Sequence, residues 1–131
     1  MADYRDHYEE IRATGADLVA ASVDGPDKSE ALRRQLRLPF VVLCDTRRRV
    51  VRDWDIYNPR EKGGIAKPSV FIIGPDRRVK YASVDTVATR VPASEIVRLL
   101  QSGSEIEPAR RKLYIPRFSE WVRAVRNAFR R

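Results

Sequence analysis

The chain has 131 residues, 43% of them hydrophobic, and a formal net charge of +8. This length allows one domain with a buried core and excludes two. The single cysteine, Cys44, excludes an intrachain disulfide and a cysteine-based zinc site, and no apolar run approaches the roughly 18–20 residues of a membrane span. Because no basic-then-apolar leader opens the sequence, we predict a cytoplasmic protein.

The first part of the chain predicts alternating helices and strands. Aromatic and aliphatic residues at helical spacing predict a helix over residues 2–14, and the run DLVAASV predicts a buried strand over 17–23. Asp27 and Glu30, three residues apart, resemble a capping pair at the start of a second helix. A second short apolar strand is predicted over 39–44.

The rest of the folded part predicts a helix, a long loop, a hairpin and a last helix. Thr46 is the predicted cap of the first of these helices. The predicted elements are a helix over 47–55, a loop over 58–68, strands over 69–73 and 78–83, and a helix over 93–101. Strands that alternate with helices indicate an α/β fold, parallel where helices cross over and antiparallel in the hairpin.

The excess positive charge lies at the end of the chain. Residues 1–109 hold 18 Lys and Arg against 17 Asp and Glu, whereas residues 110–131 hold 8 basic residues and 1 acidic residue. We therefore divide the chain into a domain over 1–101, a linker over 102–115 and a basic amphipathic helix over 116–131.

This predicted terminal helix has two different faces. Trp121 and Phe129 share an apolar face, and Arg123, Arg126 and Arg130 fall on the opposite one. Such a helix can lie on an anionic membrane surface, bind a protein partner or contact nucleic-acid phosphates. Alternatively, its apolar face packs on the sheet of its own domain or on a second copy of the chain.

The sequence resembles a known family over residues 2–101. The stretches that carry the likeness are YRDHYEEIRATGADLVAASVDGPDKSEALRRQLRLPFVVLCD, then WDIYNP, then GGIAKPSVFIIGPDRRVKYAS. They are similar to peroxiredoxins, and more closely to the redoxin branch of the alkyl hydroperoxide reductase and thiol-specific antioxidant proteins. The resemblance implies a thioredoxin-like, three-layer α/β/α fold with a mixed sheet, and it implies thiol-dependent peroxide reduction.

One departure from the family pattern matters for function. In the family, an earlier strand and a turn carrying the peroxidatic cysteine precede the helix that resembles residues 2–14, so in this chain both would lie upstream of Met1. The resemblance places that strand between those matching 17–23 and 69–73. The true start lies upstream, or the chain is a gene remnant that folds poorly or repacks, or a second chain supplies the strand.

The candidate site residues are few. Cys44 is either a peroxide-reactive thiolate or a buried thiol at the end of a strand. Lys67 stands where many relatives have a thiolate-stabilising arginine, and the alternative is an exposed loop lysine. The resemblance also implies a cis bond before Pro68. His7 has Asp3 as a second ligand at best, so we predict no metal site and no cofactor.

Two functions follow from the sequence. The first is a peroxiredoxin-like redoxin of antioxidant chemistry that is inactive as this chain because the peroxidatic cysteine is missing. If it were active, it would need an external thiol reductant. The alternative is a non-catalytic interaction module with a basic helix that binds an anionic surface or a partner. The expected partners also include a second copy of the chain or another strand-donating chain.

Overall fold

The computed structural model describes residues 1–61, 63–85 and 90–103. Helices and strands alternate through this part of the chain, as the sequence predicts. The elements are α1 (Ala2–Asp6), α2 (Tyr8–Ala13), β1 (Val19–Ser22), α3 (Pro26–Gln35), β2 (Val41–Cys44), α4 (Arg49–Asp53), β3 (Tyr57–Asn58), β4 (Ile65–Ala66), β5 (Ser69–Ile73), β6 (Val79–Val84) and α5 (Ala93–Ser102). The predicted linker and terminal helix lie outside the described residues, apart from the first two residues of the linker.

The strands form three pairs. β1 and β2 are parallel, with Val19 opposite Val41, while β3–β4 and β5–β6 are antiparallel. Among the described residues, β1 pairs only with β2 and β5 only with β6. Each of these two strands therefore has one edge without a neighbour among the described residues.

The core lies where the helices meet the strands. Tyr8 of α2 contacts Phe40 with ring centroids 5.9 Å apart, and Trp54, after α4, meets Phe71 of β5 edge-on at 4.6 Å. The most buried apolar residues are Ile11, Leu38, Phe40, Val51, Ile56, Tyr81, Ala93, Ile96 and Val97. Burial of such side chains supplies the main favourable free energy of folding.

Two contacts join α1 to the start of α5 and to the residue two positions before it. The Asp3 carboxylate accepts a hydrogen bond from the Ala93 backbone N–H at 2.7 Å, and the Tyr4 hydroxyl donates to the Val91 carbonyl at 3.0 Å. Asp3 thereby satisfies one of the free amides at the start of α5. Burial is the main cause that raises the pKa of Tyr4 to about 12.

Several local predictions were wrong, and the strand predicted to be buried over 17–23 has no buried residue. The helix over 2–14 is interrupted at His7, where φ is −105° and ψ is 13°. The predicted loop over 58–68 contains β4 and Asn58, the second residue of its partner strand β3. The predicted capping pair does not form, because the Glu30 carboxylate instead binds Arg33 and Arg34 at 2.7–2.9 Å.

Candidate functional site

Cys44 lies at the C-terminal end of β2 and is exposed. Its strand pairs with β1 through Ser22, and the next backbone N–H, that of Asp45, donates to the Ser22 carbonyl at 2.7 Å. The alternative of a buried thiol is therefore wrong. Cys44 is the last residue of its strand, and three of the four residues of β2 are exposed.

The thiol borders a hollow with mixed charge. The hollow is lined by Cys44, Asp45, Thr46, Arg47, Arg49, Val50 and Asp53. Two arginines could support a thiolate electrostatically, but two carboxylates in the same lining oppose it. The arrangement makes Cys44 accessible without placing it in a dominantly positive environment.

Asp45 has a structural role that the sequence analysis missed. Its two carboxylate oxygens accept hydrogen bonds from the backbone N–H groups of Arg49 at 2.9 Å and Val51 at 3.0 Å. Asp45 therefore caps α4, and the prediction that Thr46 does so is wrong. Arg48 makes the difference, because its left-handed backbone (φ 54°) turns the chain back over Asp45. The acidic residue directly after a strand was the available signal.

Lys67 and Pro68 occupy the connection between β4 and β5. The Lys67 N–H donates to the Ile56 carbonyl at 2.7 Å, and the Pro68 carbonyl accepts from the Asp85 N–H at 2.7 Å. Lys67 is half-buried and is not among the residues that line the hollow beside Cys44. The structure therefore does not bring the two catalytic candidates together in that hollow.

The prediction of a cis bond before Pro68 is wrong. The described residues contain no cis peptide bond, so Pro68 follows Lys67 in the trans form. The trans form is the intrinsically preferred one for a bond before proline, by about 0.5–1 kcal/mol. The backbone hydrogen bonds on both sides of this bond are made in that geometry.

His7 lies at the break between α1 and α2. Its Nδ1 is 2.9 Å from the Asp3 carbonyl oxygen and 3.5 Å from the Asp3 carboxylate. The hydrogen bond to the backbone is the main cause that raises the pKa of His7. Within the described ranges, no group of three or more His, Cys, Asp or Glu side chains is placed to hold a metal ion.

The predicted binding residues of the terminal helix lie outside the described residues. These are Trp121, Arg123, Arg126, Phe129 and Arg130. In the part of the chain that the structure describes, no helix has the length and apolar character needed to cross a membrane.

Solved structures show which fold this chain has. Mycobacterium tuberculosis AhpC matches with a TM-score of 0.68 and 23% identity, over 77% of this chain and 57% of that one. Peroxidoxin BcpB from the same organism matches with a TM-score of 0.70 and 19% identity, over 79% of this chain and 68% of that one. The chain therefore has the thioredoxin-like α/β fold of peroxiredoxins.

The family follows from the sequence. The model of the AhpC/TSA family matches residues 1–82, so the chain belongs to that family. It is 34% identical over 53 residues to the chloroplastic peroxiredoxin Q of Populus jackii, covering 40% of this chain and 25% of that protein. It is 24% identical over 110 residues to alkyl hydroperoxide reductase C of Escherichia coli K12, covering 81% of this chain and 58% of that protein. The match spans 25% of the length of that peroxiredoxin Q and 58% of the length of that alkyl hydroperoxide reductase C.

Proposed function

We propose that this chain has the scaffold of thiol-dependent peroxide reduction but does not turn over peroxide by itself. In the family's chemistry, a cysteine thiolate attacks one peroxide oxygen and the O–O bond breaks. The cysteine becomes a sulfenic acid, and water or an alcohol leaves. Two equivalents of an external thiol then reduce the sulfenic acid to the thiol, forming a disulfide between them and releasing water. Family membership supports the chemistry, and the surroundings of Cys44 support the lack of turnover.

The observation that carries this proposal is the position of the only thiol. Cys44 is accessible, so exclusion of peroxide is not the reason for inactivity. Arg47 and Arg49 share the hollow with Asp45 and Asp53, which leaves no net positive charge to favour the thiolate. Lys67, the other candidate, does not line this hollow.

A peroxide-consumption assay on the full 131-residue chain tests the proposal. Hydrogen peroxide and an organic hydroperoxide are each supplied with dithiothreitol as the external reductant. We expect the rate with the protein to equal the rate with buffer, and Cys44→Ser to change nothing. Turnover that Cys44→Ser abolishes would show that Cys44 acts as the peroxidatic residue.

We also propose that a further strand pairs with β1 and β5. Each of these strands has one described partner, and unpaired strand edges attract additional strands. A second copy of the chain or another strand-donating chain could provide it. Sedimentation of the full chain over a range of concentrations tests the first source, for which we expect the mass of a dimer. A monomer at every concentration would exclude it.

A second candidate function is an interaction module. The concentration of positive charge in residues 110–131 favours it, since Arg123, Arg126 and Arg130 would offer phosphates one basic face. We expect salt-sensitive binding to anionic vesicles or to duplex DNA that weakens when all three arginines are replaced by glutamine. The variants Trp121→Ala and Phe129→Ala separate apolar insertion from charge.

We place the protein in the cytoplasm. The support is the lone Cys44, because a reducing compartment suits a chain that cannot form its own disulfide. Fluorescence microscopy of the tagged protein in its native cells tests this location.

A further inference from the structure

One side of the β1–β2 pair is left without cover in the described structure. The parallel register places Val19 beside Val41 and Ala21 beside Leu43, and side chains two residues apart share a face of a strand. Val19, Val41 and Leu43 are 54%, 59% and 55% exposed. We call Val19, Ala21, Val41 and Leu43 the bare β1–β2 face.

The opposite side of the same pair is covered except at Cys44, which is exposed at the end of β2. Ala20, Ser22 and Val42 alternate with the bare residues and are half-buried, and α3 packs against β2. Parallel strands are normally covered on both faces, and their sequences are accordingly apolar throughout. An exposed group of large apolar side chains on such a pair marks a surface that another element occupies.

Most other exposed large apolar side chains lie on α4, β5 and β6 or just after α4. They are Val50, Trp54, Ile73, Val79 and Val84. Val50 lines the hollow beside Cys44, so α4 borders the C-terminal end of β2. The four residues of the bare face are therefore neighbours across the parallel pair, and α4 follows the C-terminal end of β2 in the chain.

The chain itself contains a segment suited to this face. After Gly103 it continues for 28 residues, and residues 116–131 carry Phe118, Trp121, Val122, Val125 and Phe129 at helical spacing. A helix of that length would extend about 24 Å. That exceeds the roughly 13 Å length of two four-residue strands, so one helix is long enough to cover the pair.

The connection is also long enough. Residues 104–115 span at most about 40 Å when extended. A domain of about 100 residues has a radius of gyration of about 13 Å, so the segment can pass round an edge of the strands. A tethered segment acts at an effective concentration in the millimolar range, which favours it over a second copy at micromolar concentration.

We propose that residues 116–131 form a helix that packs its apolar face, centred on Trp121 and Val125, on the bare β1–β2 face of the same chain. Arg123, Arg126 and Arg130 then project to solvent as a basic surface of the folded domain. The proposal is independent of peroxide chemistry, because it concerns only how the end of the chain is held.

Hydrogen exchange of the full chain, followed by mass spectrometry, tests the proposal. We expect the amides of 116–131 to exchange at least about tenfold more slowly than an unstructured segment at low protein concentration. Leu43→Asp should remove this protection, because it places a charge in the middle of the contact. Since Leu43 is exposed, the described domain should still fold, and unchanged protection of β5 and β6 checks this.

A matched variant and a second reporter complete the design. Ala31→Asp puts the same charge on the exposed side of α3 and should leave the protection of 116–131 intact. Trp54→Phe leaves Trp121 as the only tryptophan, and its quenching by acrylamide should rise at least about twofold when Leu43→Asp is added.

Four results would overturn the proposal. They are fast exchange throughout 116–131, protection that Leu43→Asp does not change, protection that grows with protein concentration, and protection that requires anionic vesicles. The third result would assign the face to a second copy, and the fourth would assign the terminal segment to a lipid surface.

Discussion

Substitutions at Asp45 and Thr46 distinguish two assignments of the cap of α4, because the sequence predicts Thr46 in this role, whereas the structure assigns it to Asp45. Asp45 uses one carboxylate oxygen for the Arg49 N–H at 2.9 Å and the other for the Val51 N–H at 3.0 Å. A typical hydrogen bond contributes about 1 kcal/mol, and loss of an N-cap costs about 0.5–2 kcal/mol. We therefore expect Asp45→Ala to lower the free energy of unfolding by about 2 kcal/mol. Asp45→Asn keeps one acceptor oxygen and should cost about half as much.

Urea unfolding, followed by far-ultraviolet circular dichroism, measures this change. With a slope of about 2 kcal/mol per molar urea, the midpoint of Asp45→Ala should fall by about 1 M. Thr46→Ala is the matched control, because Thr46 is the cap that the sequence suggested and its hydroxyl makes no described hydrogen bond. It should cost less than about 0.5 kcal/mol. A larger loss for Thr46→Ala than for Asp45→Ala would refute the structural assignment.

Three further predictions concern stability. Arg37 has a φ of 50° at the end of α3, so Arg37→Gly should relieve left-handed strain and raise the free energy of unfolding by about 1 kcal/mol in the same titration. A decrease would contradict this reasoning. Asp3→Ala should lower it by about 1 kcal/mol, because the Ala93 N–H loses its acceptor; an unchanged midpoint would show that water replaces the carboxylate. The hydrogen bond to the Asp3 carbonyl raises the pKa of His7 above its ordinary value. The stabilising contribution of protonated His7 is therefore complete below the ordinary pKa, and it is lost as the pH rises through the raised pKa. The advantage of the wild type over His7→Gln should therefore shrink between about pH 5 and about pH 8, and an advantage that grows would reverse the sign.

Elements with strong local signals could be predicted from the sequence. The strand over 69–73 was predicted with its exact bounds, and the turn at Gly74 and Asp76 correctly indicated an antiparallel partner. Arg77 N–H donates to the Gly74 carbonyl at 2.9 Å, and the Asp76 carboxylate accepts from the Arg78 N–H at 3.2 Å. All of these interactions join residues close in sequence, which is why a short window contains the information.

Caps were harder to predict because several partners compete for each polar side chain. Glu30 has the spacing of a capping residue, yet it binds Arg33 and Arg34, which are equally near along the helix. Asp45 caps α4 only because Arg48 adopts a left-handed backbone. Nothing in the identity of Arg48 predicts that conformation, since glycine or asparagine is usual there.

The exposure of Cys44 could not be predicted from the apolar sequence around it. The run PFVVLC predicts a short apolar strand, and a buried Cys44 at its end is one of the two alternatives that the sequence offers. Phe40 is indeed buried, whereas Val41 and Leu43 are more than half exposed. The apolar residues of a strand indicate that its faces are covered in the folded protein. They do not indicate which segment covers them.

The strand that the family resemblance places beside β1 and β5 does not account for the exposed apolar side chains of the β1–β2 pair. Placing a strand beside β1 and β5 would satisfy their backbone edges, yet an added strand lies in the plane of the sheet and cannot cover the side chains above it. The bare β1–β2 face therefore needs a second element, such as a helix, packed against the side chains on that face. The strand that pairs with β1 and β5 and the element that covers the bare β1–β2 face are therefore two different elements. An experiment that finds one of them does not show whether the other is present.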